Sequence, residues 1–172
     1  NCFVTDVPFE TTLMVRDTCL CLATQRAARA LARRFDDAFR ALDLTNGQFS
    51  LLMALNRPKP PTIAPLAEFL AMDRTTLTAA LKPLERRGLV QVSVDPDDRR
   101  SRLLKLTAKG RGLLAKALPI WKEHHALLEQ QTGPANGLRQ SLAELALPEK
   151  ERPQRTAPKS KSNLPCDQRS GG

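Results

Sequence analysis

Apolar residues recur at steps of three and four over the first quarter of the chain, the spacing that places side chains on one face of an α-helix. The pattern runs from Thr11 to Leu42, with arginines at several of the remaining positions. It predicts a single helix over this range. A helix this long outruns a small globular core, so we expect it to pack against more than its own domain. The apolar stripe comprises Leu20, Ala23, Ala27, Leu31, Phe35, Ala38 and Leu42.

Two shorter helices follow, each with its own start signal. Thr45 and Gln48 stand three residues apart, the spacing of a capping box, and predict a helix that runs to about Leu55. The segment NRPKPP then excludes helix, because proline removes a backbone donor and restricts the residue before it. Thr62 is the expected N-cap of the next helix, and Pro65 is tolerated there because it lies in the first turn.

A third short helix is predicted after the tight break AMD, with Asp73 as its N-cap. It extends from Arg74 to Arg87 and ends at Gly88, a residue that suits the left-handed backbone found at helix C-termini. One face of this helix is apolar and predicted to be buried. That face consists of Leu77, Leu81 and Leu84.

From Leu89 to Val94 the helical spacing ends, and apolar and polar residues alternate as in a half-buried strand. A second strand is predicted from Arg102 to Leu106, after a turn rich in Asp and Pro. Two helices joined by a tight turn and followed by a hairpin predict a winged helix-turn-helix. The expected fold is therefore mainly α with a small β-hairpin wing.

Two further helices are predicted beyond the hairpin. Thr107 caps a long helix that Pro119 should kink, and a short helix runs from Leu138 to Leu147. Residues 148–172 have few apolar side chains and many polar and basic ones. This composition predicts a disordered basic tail.

Charge adds a partner class to this fold. The formal net charge is +9 and the isoelectric point is near 10.0, which favours binding to polyanions. Between Asp73 and Lys116, eleven Lys and Arg residues oppose five Asp and Glu residues, so the excess lies around the predicted hairpin. No apolar run approaches the roughly 18 residues that span a bilayer, and the first residues do not resemble a signal peptide. We therefore expect a cytoplasmic protein with no membrane partner.

The outward face of the third short helix is the candidate DNA-reading surface. In winged helix-turn-helix proteins this helix lies in the major groove, where hydroxyls and cations suit base edges and phosphates. The alternative interpretation is an ordinary solvated helix face, which has a similar composition. The candidate residues are Arg74, Thr75, Thr76, Thr78 and Lys82.

The segment DRTTLTAALKPLERRGLVQVSVDPDDRRSRLLKLTAKG, preceded by LTNGQFSLLMAL, resembles the MarR family of bacterial transcriptional regulators. The resemblance extends from about Thr12 to Gln131. It implies a regulator, usually a repressor, that binds a palindromic double-stranded DNA operator as a homodimer with intertwined first and last helices. The implied domains are a helical dimerisation region at 11–43 and 119–147 and a winged helix-turn-helix DNA-binding domain at 44–118.

At the wing tip, the family pattern of an Asp and an Arg two residues apart matches Asp98 and Arg100, and Arg102 follows closely. The resemblance implies that the arginine enters the minor groove, where narrow A·T-rich DNA concentrates negative potential. We expect Asp98 to hydrogen-bond this guanidinium and to orient it before binding, which reduces the side-chain entropy lost on DNA. Asp95 and Asp97 are interpreted as turn residues.

Two modes of control follow from the resemblance. The first is a small aromatic or anionic ligand in the crevice between the dimerisation helices and the DNA-binding lobe. Arg26, Arg29 or Arg33 could bind its carboxylate, but each is equally consistent with a solvated or inter-subunit residue. The alternative is a thiol-based, organic hydroperoxide-responsive repressor that uses Cys21, which stands where that branch of the family has its reactive cysteine. The assisting tyrosines of that branch are missing, because the chain has no Tyr. Cys19 and Cys21 are equally consistent with small packing residues.

Other classes of function have little support in the sequence. The four cysteines form no CxxC pair, and His124 and His125 are adjacent, so we expect no metal and no other cofactor. A Cys–His catalytic pair would need an oxyanion hole that no loop suggests, so we expect no enzyme activity. The remote alternative is a basic adaptor or RNA-binding protein. An aromatic content of 4% argues against single-strand binding, which relies on stacking.

Overall fold

The computed structural model describes residues 6–133 and 135–147, and the predicted tail at 148–172 lies outside them. The chain divides into two compact units, Asn1–Gly133 and Pro134–Gly172, and within the described residues only α7 belongs to the second. In chain order the elements are α1 (Phe9–Thr18), α2 (Leu20–Phe39), a 3-10 turn (Arg40–Leu42), α3 (Asn46–Leu55), α4 (Ile63–Phe69), α5 (Arg74–Arg86), β1 (Val90–Val94), β2 (Arg102–Leu106), α6 (Ala108–Thr132) and α7 (Asn136–Ala146).

The first predicted helix is two helices, α1 and α2, which meet at Cys19. The backbone of Cys19 is extended (φ −74°, ψ 106°), and its Sγ accepts a hydrogen bond from the N–H of Leu22 at 3.4 Å. The prediction of one helix over 11–42 is therefore wrong at this position. Thr18 and Cys19 are both poor helix formers, and the thiol caps the helix that restarts after them. At the other end, α2 passes through the 3-10 turn to Asp43, which is left-handed (φ 48°).

The predicted helix starts are confirmed at α3 and α5. At α3, the N–H of Gln48 donates to Thr45 Oγ1 at 3.2 Å and the N–H of Thr45 donates to Gln48 Oε1 at 3.3 Å, which completes the capping box. At α5, Asp73 Oδ1 accepts from the N–H of Thr76 at 2.8 Å. The turn that joins α4 to α5 contains Ala71 at a left-handed φ of 51°.

The segment before α4 also contributes to the wing. Thr62 is the N-cap residue of α4, as predicted, but its side chain makes no capping hydrogen bond. Its backbone instead pairs with Leu103 in an antiparallel bridge, and the N–H of Leu104 donates to the carbonyl of Pro61 at 2.9 Å. The hairpin is therefore tied along one edge to the start of the helix-turn-helix.

The hairpin forms in the predicted place and joins directly to α6. Val90 of β1 pairs with Leu106 of β2, and both are buried together with Leu104. Thr107 caps α6 as predicted, because its Oγ1 accepts from the N–H of Gly110 at 3.0 Å. α6 then continues through Pro119 to Thr132.

Aromatic rings connect the long helices α2 and α6 to α3 at the start of the helix-turn-helix region. Phe39 of α2 lies 4.8 Å from Phe49 of α3, measured between ring centroids, and Phe49 stacks on Trp121 of α6 at 6.4 Å. The same core continues through the leucines of α3, α4, α5 and β2. Its largest fully buried side chains include Leu52, Leu66, Leu77, Leu84 and Leu104.

The apolar stripe predicted for the first helix has a buried half and an exposed half. Phe35 is 6% exposed, whereas Leu20 is 60% exposed and Leu31 is 40% exposed. On α1, Phe9 and Met14 are also exposed. The described part of this chain therefore leaves apolar surface open on α1 and the first half of α2.

The helix in the second unit agrees closely with its prediction. α7 spans Asn136–Ala146, against the predicted 138–147, and it exposes Leu138 and Leu142 one turn apart. None of the described helices is long and apolar enough to cross a membrane.

Candidate nucleic-acid interface

The rotation of α5 is fixed by its buried leucines. Leu77, Leu81 and Leu84 are each at most 3% exposed. Side chains on the opposite surface of the helix therefore point to solvent. All five candidates from the sequence are exposed, namely Arg74, Thr75, Thr76, Thr78 and Lys82.

Two of the threonine hydroxyls on α5 are already engaged as donors. Thr76 Oγ1 donates to the Asp73 carboxylate, and Thr78 Oγ1 donates to the carbonyl of Arg74 at 2.7 Å. The Thr76 hydroxyl, and after it the Thr76 N–H, lowers the pKa of Asp73 because both stabilise the charged carboxylate. Each committed hydroxyl retains acceptor capacity on its oxygen. Thr76 and Thr78 are therefore suited to accept hydrogen bonds from outside, for example from base amino groups.

At the wing tip, Asp98 binds other atoms than the prediction assigned to it. Its Oδ1 accepts from the backbone N–H of Arg100 at 3.0 Å, and its Oδ2 accepts from Ser101 Oγ at 2.8 Å. The carboxylate therefore fixes the turn backbone and does not hold the Arg100 guanidinium as expected. A short aspartate reaches a backbone N–H two residues ahead more readily than a long, solvated side chain. The Ser101 hydroxyl, followed by the Arg100 N–H, lowers the pKa of Asp98.

The arginines of the wing differ in how firmly they are held. Arg102 Nη1 donates to the carbonyls of Arg99 and Ser101, at 3.1 and 3.2 Å, and so ties its side chain to the turn. Arg99 and Arg100 are exposed. Asp95 behaves as the predicted turn residue, because its Oδ1 accepts from the N–H of Asp97 at 3.0 Å.

Arg87 was not selected from the sequence, yet it anchors the end of α5. Its Nη1 donates to the carbonyl of Asp43 at 2.6 Å, and its Nη2 lies 3.5 Å from the Asp43 carboxylate. The Arg87 carbonyl accepts from Lys109 Nζ at 2.8 Å. The C-terminus of α5 is thereby tied to the corner between α2 and α3 and to the start of α6. The only local sequence signal was a basic residue next to a helix-ending glycine.

A cavity of about 630 Å³ lies among α3, the end of α4 and α6. Its volume falls within the range of small-molecule sites, and its walls are largely apolar. Trp121 forms part of the wall and is the single Trp of the chain. The lining residues are Phe49, Ser50, Met53, Ala54, Asn56, Arg57, Phe69, Leu70, Leu118 and Trp121.

Arg57 is the cation at this cavity. Its Nε donates to the carbonyl of Ala54 at 2.8 Å, and its guanidinium carbon lies 5.5 Å from the centre of the Phe69 ring. These contacts fix the orientation of a guanidinium whose Nη groups can bind an anion. The sequence left the ligand site open, with Arg26, Arg29 and Arg33 as candidates; all three are exposed on α2 and none lines the cavity.

The other candidate groups are not among the residues that line the cavity. Cys21 is an exposed free thiol in the first turn of α2, and Cys19 is a half-buried one. His125 packs on Trp121, with 4.7 Å between ring centroids, and its Nδ1 lies 3.9 Å from the Glu129 carboxylate. Over residues 6–133 and 135–147, no group of three or more His, Cys, Asp or Glu side chains is placed to hold a metal ion. A redox role for Cys21 stays a prediction.

Comparison with known proteins places this geometry among DNA-binding regulators. The structure of the Mycobacterium tuberculosis transcriptional regulator MosR in complex with DNA matches with a TM-score of 0.69 at 39% identity, over 74% of this chain and 93% of that one. The transcriptional repressor CouR bound to a 23-mer DNA duplex matches with a TM-score of 0.68 at 32% identity, over 77% and 96%. CouR bound to p-coumaroyl-CoA matches with a TM-score of 0.67 at 30% identity, over 77% and 94%.

Sequence comparison agrees. The organic hydroperoxide resistance transcriptional regulator of Bacillus subtilis is 31% identical over 101 residues, which are 59% of this chain and 69% of that protein. The chain spans about half the length, 51% to 58%, of three further curated relatives. The MarR family model matches residues 44–101, which contain α3, α4, α5, β1 and the wing turn. With its winged helix-turn-helix and these relatives, the chain belongs to the MarR family.

Proposed function

We propose that this protein is a sequence-specific transcriptional regulator that binds a palindromic double-stranded DNA operator as a homodimer, and that it acts as a repressor. The observation that carries the proposal is the exposed surface of α5, which presents Arg74, Thr75 and Lys82 together with two threonine oxygens that can accept hydrogen bonds. Cations and short hydroxyl side chains on a helix of this kind suit phosphates and base edges in the major groove. MosR and CouR, both similar to this chain, have structures with DNA.

The wing supplies the second DNA contact in this proposal. Asp98 stiffens the turn by binding the Arg100 amide, so the exposed side chain of Arg100 leaves from a fixed backbone position. An arginine presented in this way suits the negative potential of a narrow minor groove. Arg102 is tied to the turn and adds positive charge beside it. Recognition helix and wing together would span a major groove and the adjacent minor groove.

The homodimer is supported by the apolar surface of α1 and α2. Leu20 is 60% exposed and Met14 is 57% exposed, and neither contributes to the core of this chain. In the proposed assembly, residues 11–43 and 119–147 form the dimerisation region and residues 44–118 form the DNA-binding domain. Light scattering should give the mass of a dimer, and Leu20→Lys should raise the dimer dissociation constant, whereas Gln25→Lys on the same helix should not. A monomer mass for both the unmodified protein and Gln25→Lys would contradict the assembly.

The cavity beside Arg57 supports release of the repressor by a small aromatic or anionic ligand. Its apolar wall suits an aromatic ring, and Arg57 suits a carboxylate. CouR, which has a structure with p-coumaroyl-CoA, shows that a relative accepts a ligand of mixed aromatic and anionic character. The cavity contacts α3, the end of α4 and α6, so its occupant would bear on both proposed domains.

The proposal is tested by fluorescence anisotropy on a labelled duplex from upstream of the protein's own gene, with excess random competitor. We expect competitor-resistant binding that Arg100→Ala and Lys82→Ala both weaken. Arg29→Ala, an equal change of charge on α2, is the matched control and should bind as the unmodified protein does. If the protein binds a random duplex or a single strand as tightly as it binds the upstream duplex, the proposal is contradicted. That result would favour a basic adaptor or RNA-binding protein.

The alternative control, oxidation of Cys21, is favoured by two observations. The thiol is exposed, and the B. subtilis relative is named for organic hydroperoxide resistance. In this alternative, peroxide oxidises Cys21 to a sulfenic acid that condenses with a second thiol to a disulfide, with loss of water. The same anisotropy assay run with an organic hydroperoxide distinguishes the two modes, because Cys21→Ser should abolish any release by oxidation and leave release by ligand intact.

A further inference from the structure

We propose that the effector is an elongated amphipathic carboxylate that extends from the cavity beside Arg57 into a second cavity beneath α5. The inference rests on the proposed function, because it specifies the ligand of the proposed regulator. It also gives the ligand a direct contact with the helix that is proposed to read DNA.

The second cavity has a volume of about 510 Å³ and lies between the first half of α3, the turn after α4, and α5. Gly47 and Leu51 form its α3 wall, and Ala80 and Pro83 form its α5 wall. Ser50 and Leu70 line both this cavity and the one beside Arg57. The two cavities therefore adjoin, because these two residues belong to the walls of both.

A left-handed turn follows Leu70, one of the two residues that line both cavities. Ala71 follows Leu70 and has φ 51°, a left-handed conformation that costs energy for any residue with a Cβ. Met72, the next residue, lines the second cavity. Leu70, which lines both cavities, therefore belongs to a turn whose next residue has an unfavourable backbone conformation.

The lining residues define the chemistry of the ligand. Arg57 provides a cation at the first cavity, so one end of the ligand is an anion, and a carboxylate suits the guanidinium. The residues that line the second cavity carry no charge, and most of its wall is apolar. The far end of the ligand is therefore an uncharged, apolar chain or ring. A short aromatic acid fills only the first cavity, whereas a longer one reaches Ala80 and Pro83.

Contact with Ala80 and Pro83 couples the ligand to DNA through a single rigid helix. Thr76 and Lys82 project from the exposed surface of the same helix, so displacement of the inner face moves the outer one. Because coupling between two ligands is reciprocal, a carboxylate that touches α5 binds more weakly when the protein is on DNA. A carboxylate confined to the first cavity shows less of this coupling.

The test is a series of ω-phenylalkanoates from phenylacetate to 8-phenyloctanoate, with quenching of Trp121 fluorescence as the readout. We expect the dissociation constant to fall by about fourfold per methylene as apolar surface is buried, and to keep falling in the longer acids. Gly47→Leu fills the second cavity, and Gly112→Leu is the matched control. Both glycines are helical, and an added Cβ at either meets nothing within 4 Å, but Gly112 does not line the cavity.

The expected result is that Gly47→Leu binds phenylacetate normally but binds the longest acid at least tenfold more weakly than Gly112→Leu does. Ala80→Leu narrows the same cavity from α5 and gives a second variant, with circular dichroism to confirm folding. If the dissociation constants change with chain length in the same way in all variants, a ligand that spans both cavities is ruled out, but the proposed regulator is not. If no acid binds, the carboxylate effector is overturned as well, and if the specific duplex is not bound, the proposed function itself fails.

Discussion

Replacement of Gly110 by alanine is expected to destabilise the protein, although alanine is the better helix former. Gly110 lies buried in the first turn of α6, where an added Cβ would be 2.2 Å from the carbonyl oxygen of Leu89 and 2.8 Å from Cδ1 of Leu106. Ordinary contacts are 3.4 to 4 Å, so the carbonyl must retreat by about 1 Å. That carbonyl accepts from both the N–H and the Oγ1 of Thr107, at 3.0 and 3.1 Å. Its movement therefore also disturbs the residue that caps α6.

The magnitude follows from three terms. Overpacking of a well-packed core costs about 1–3 kcal/mol, and weakening of a helix cap costs about 1 kcal/mol. Alanine returns about 1 kcal/mol through its helix propensity. The expected net loss for Gly110→Ala is about 1–3 kcal/mol. For a chain of this size that lowers the melting temperature by roughly 2 to 12 °C.

Gly112 provides a control of opposite sign two residues further on. It is exposed, and an added Cβ meets nothing within 4 Å, so Gly112→Ala should gain about 1 kcal/mol and melt roughly 2 to 4 °C higher. Thermal unfolding followed by circular dichroism measures both, at equal protomer concentration because the stability of the proposed dimer would depend on it. If Gly110→Ala melts at or above the unmodified protein, the close approach of α6 to the Leu89 carbonyl is refuted.

Four further predictions use the same assays or simple ones. Ala71→Gly should stabilise the protein by about 1 kcal/mol by relieving the left-handed strain, and an unchanged melting temperature would show that the turn bears none. Asp98→Ala should weaken operator binding in anisotropy because the turn that fixes the Arg100 amide is lost, and undiminished affinity would remove that role. The Ser101 hydroxyl lowers the pKa of Asp98, so the charged carboxylate stabilises the wing at every pH above its ordinary pKa of 3.8. This stabilisation should be lost as the pH falls through the lower pKa of the folded state. Loss of wing amide protection, measured relative to the unfolded chain, at a pH well above that range would contradict this. Hydroperoxide with a small thiol should form a mixed disulfide at Cys21 detectable by mass spectrometry, and its absence would leave Cys21 a surface residue.

The helix-turn-helix and the wing were predictable because their signals are local. Thr45 and Gln48 specify the start of α3 by bonding to each other across three residues. The periodicity of Leu77, Leu81 and Leu84 determined which face of α5 is buried, and so which side chains are exposed. Such signals depend on the nearest turn of chain, which the sequence contains in full.

Features that depend on distant partners were missed. Arg87 bonds to the carbonyl of Asp43, 44 residues earlier, and nothing near either residue indicates that contact. Arg57 follows a helix end and looks like a loop residue until α4 and α6 form the cavity beside it. The thiol of Cys19 ends one helix and caps the next, although cysteine is a rare capping residue. The expected Asp98 to Arg100 contact was correct in its partners and wrong in its atoms, because the backbone N–H was the nearer donor.

The first helices show what periodicity can and cannot establish. Leu20 and Phe35 occupy equivalent positions in the same apolar stripe, yet Phe35 is 6% exposed and Leu20 is 60% exposed. Periodicity identifies the residues that favour burial, but it does not identify the surface that buries them. For Phe35 that surface is the aromatic cluster with Phe39, within this chain. For Leu20 no surface of the described chain serves, and exposed apolar area of this kind usually marks an interface. The half of the stripe left uncovered is thus the strongest structural argument for a second chain, and the spacing of the two recognition helices on DNA would be determined by how that chain packs on it.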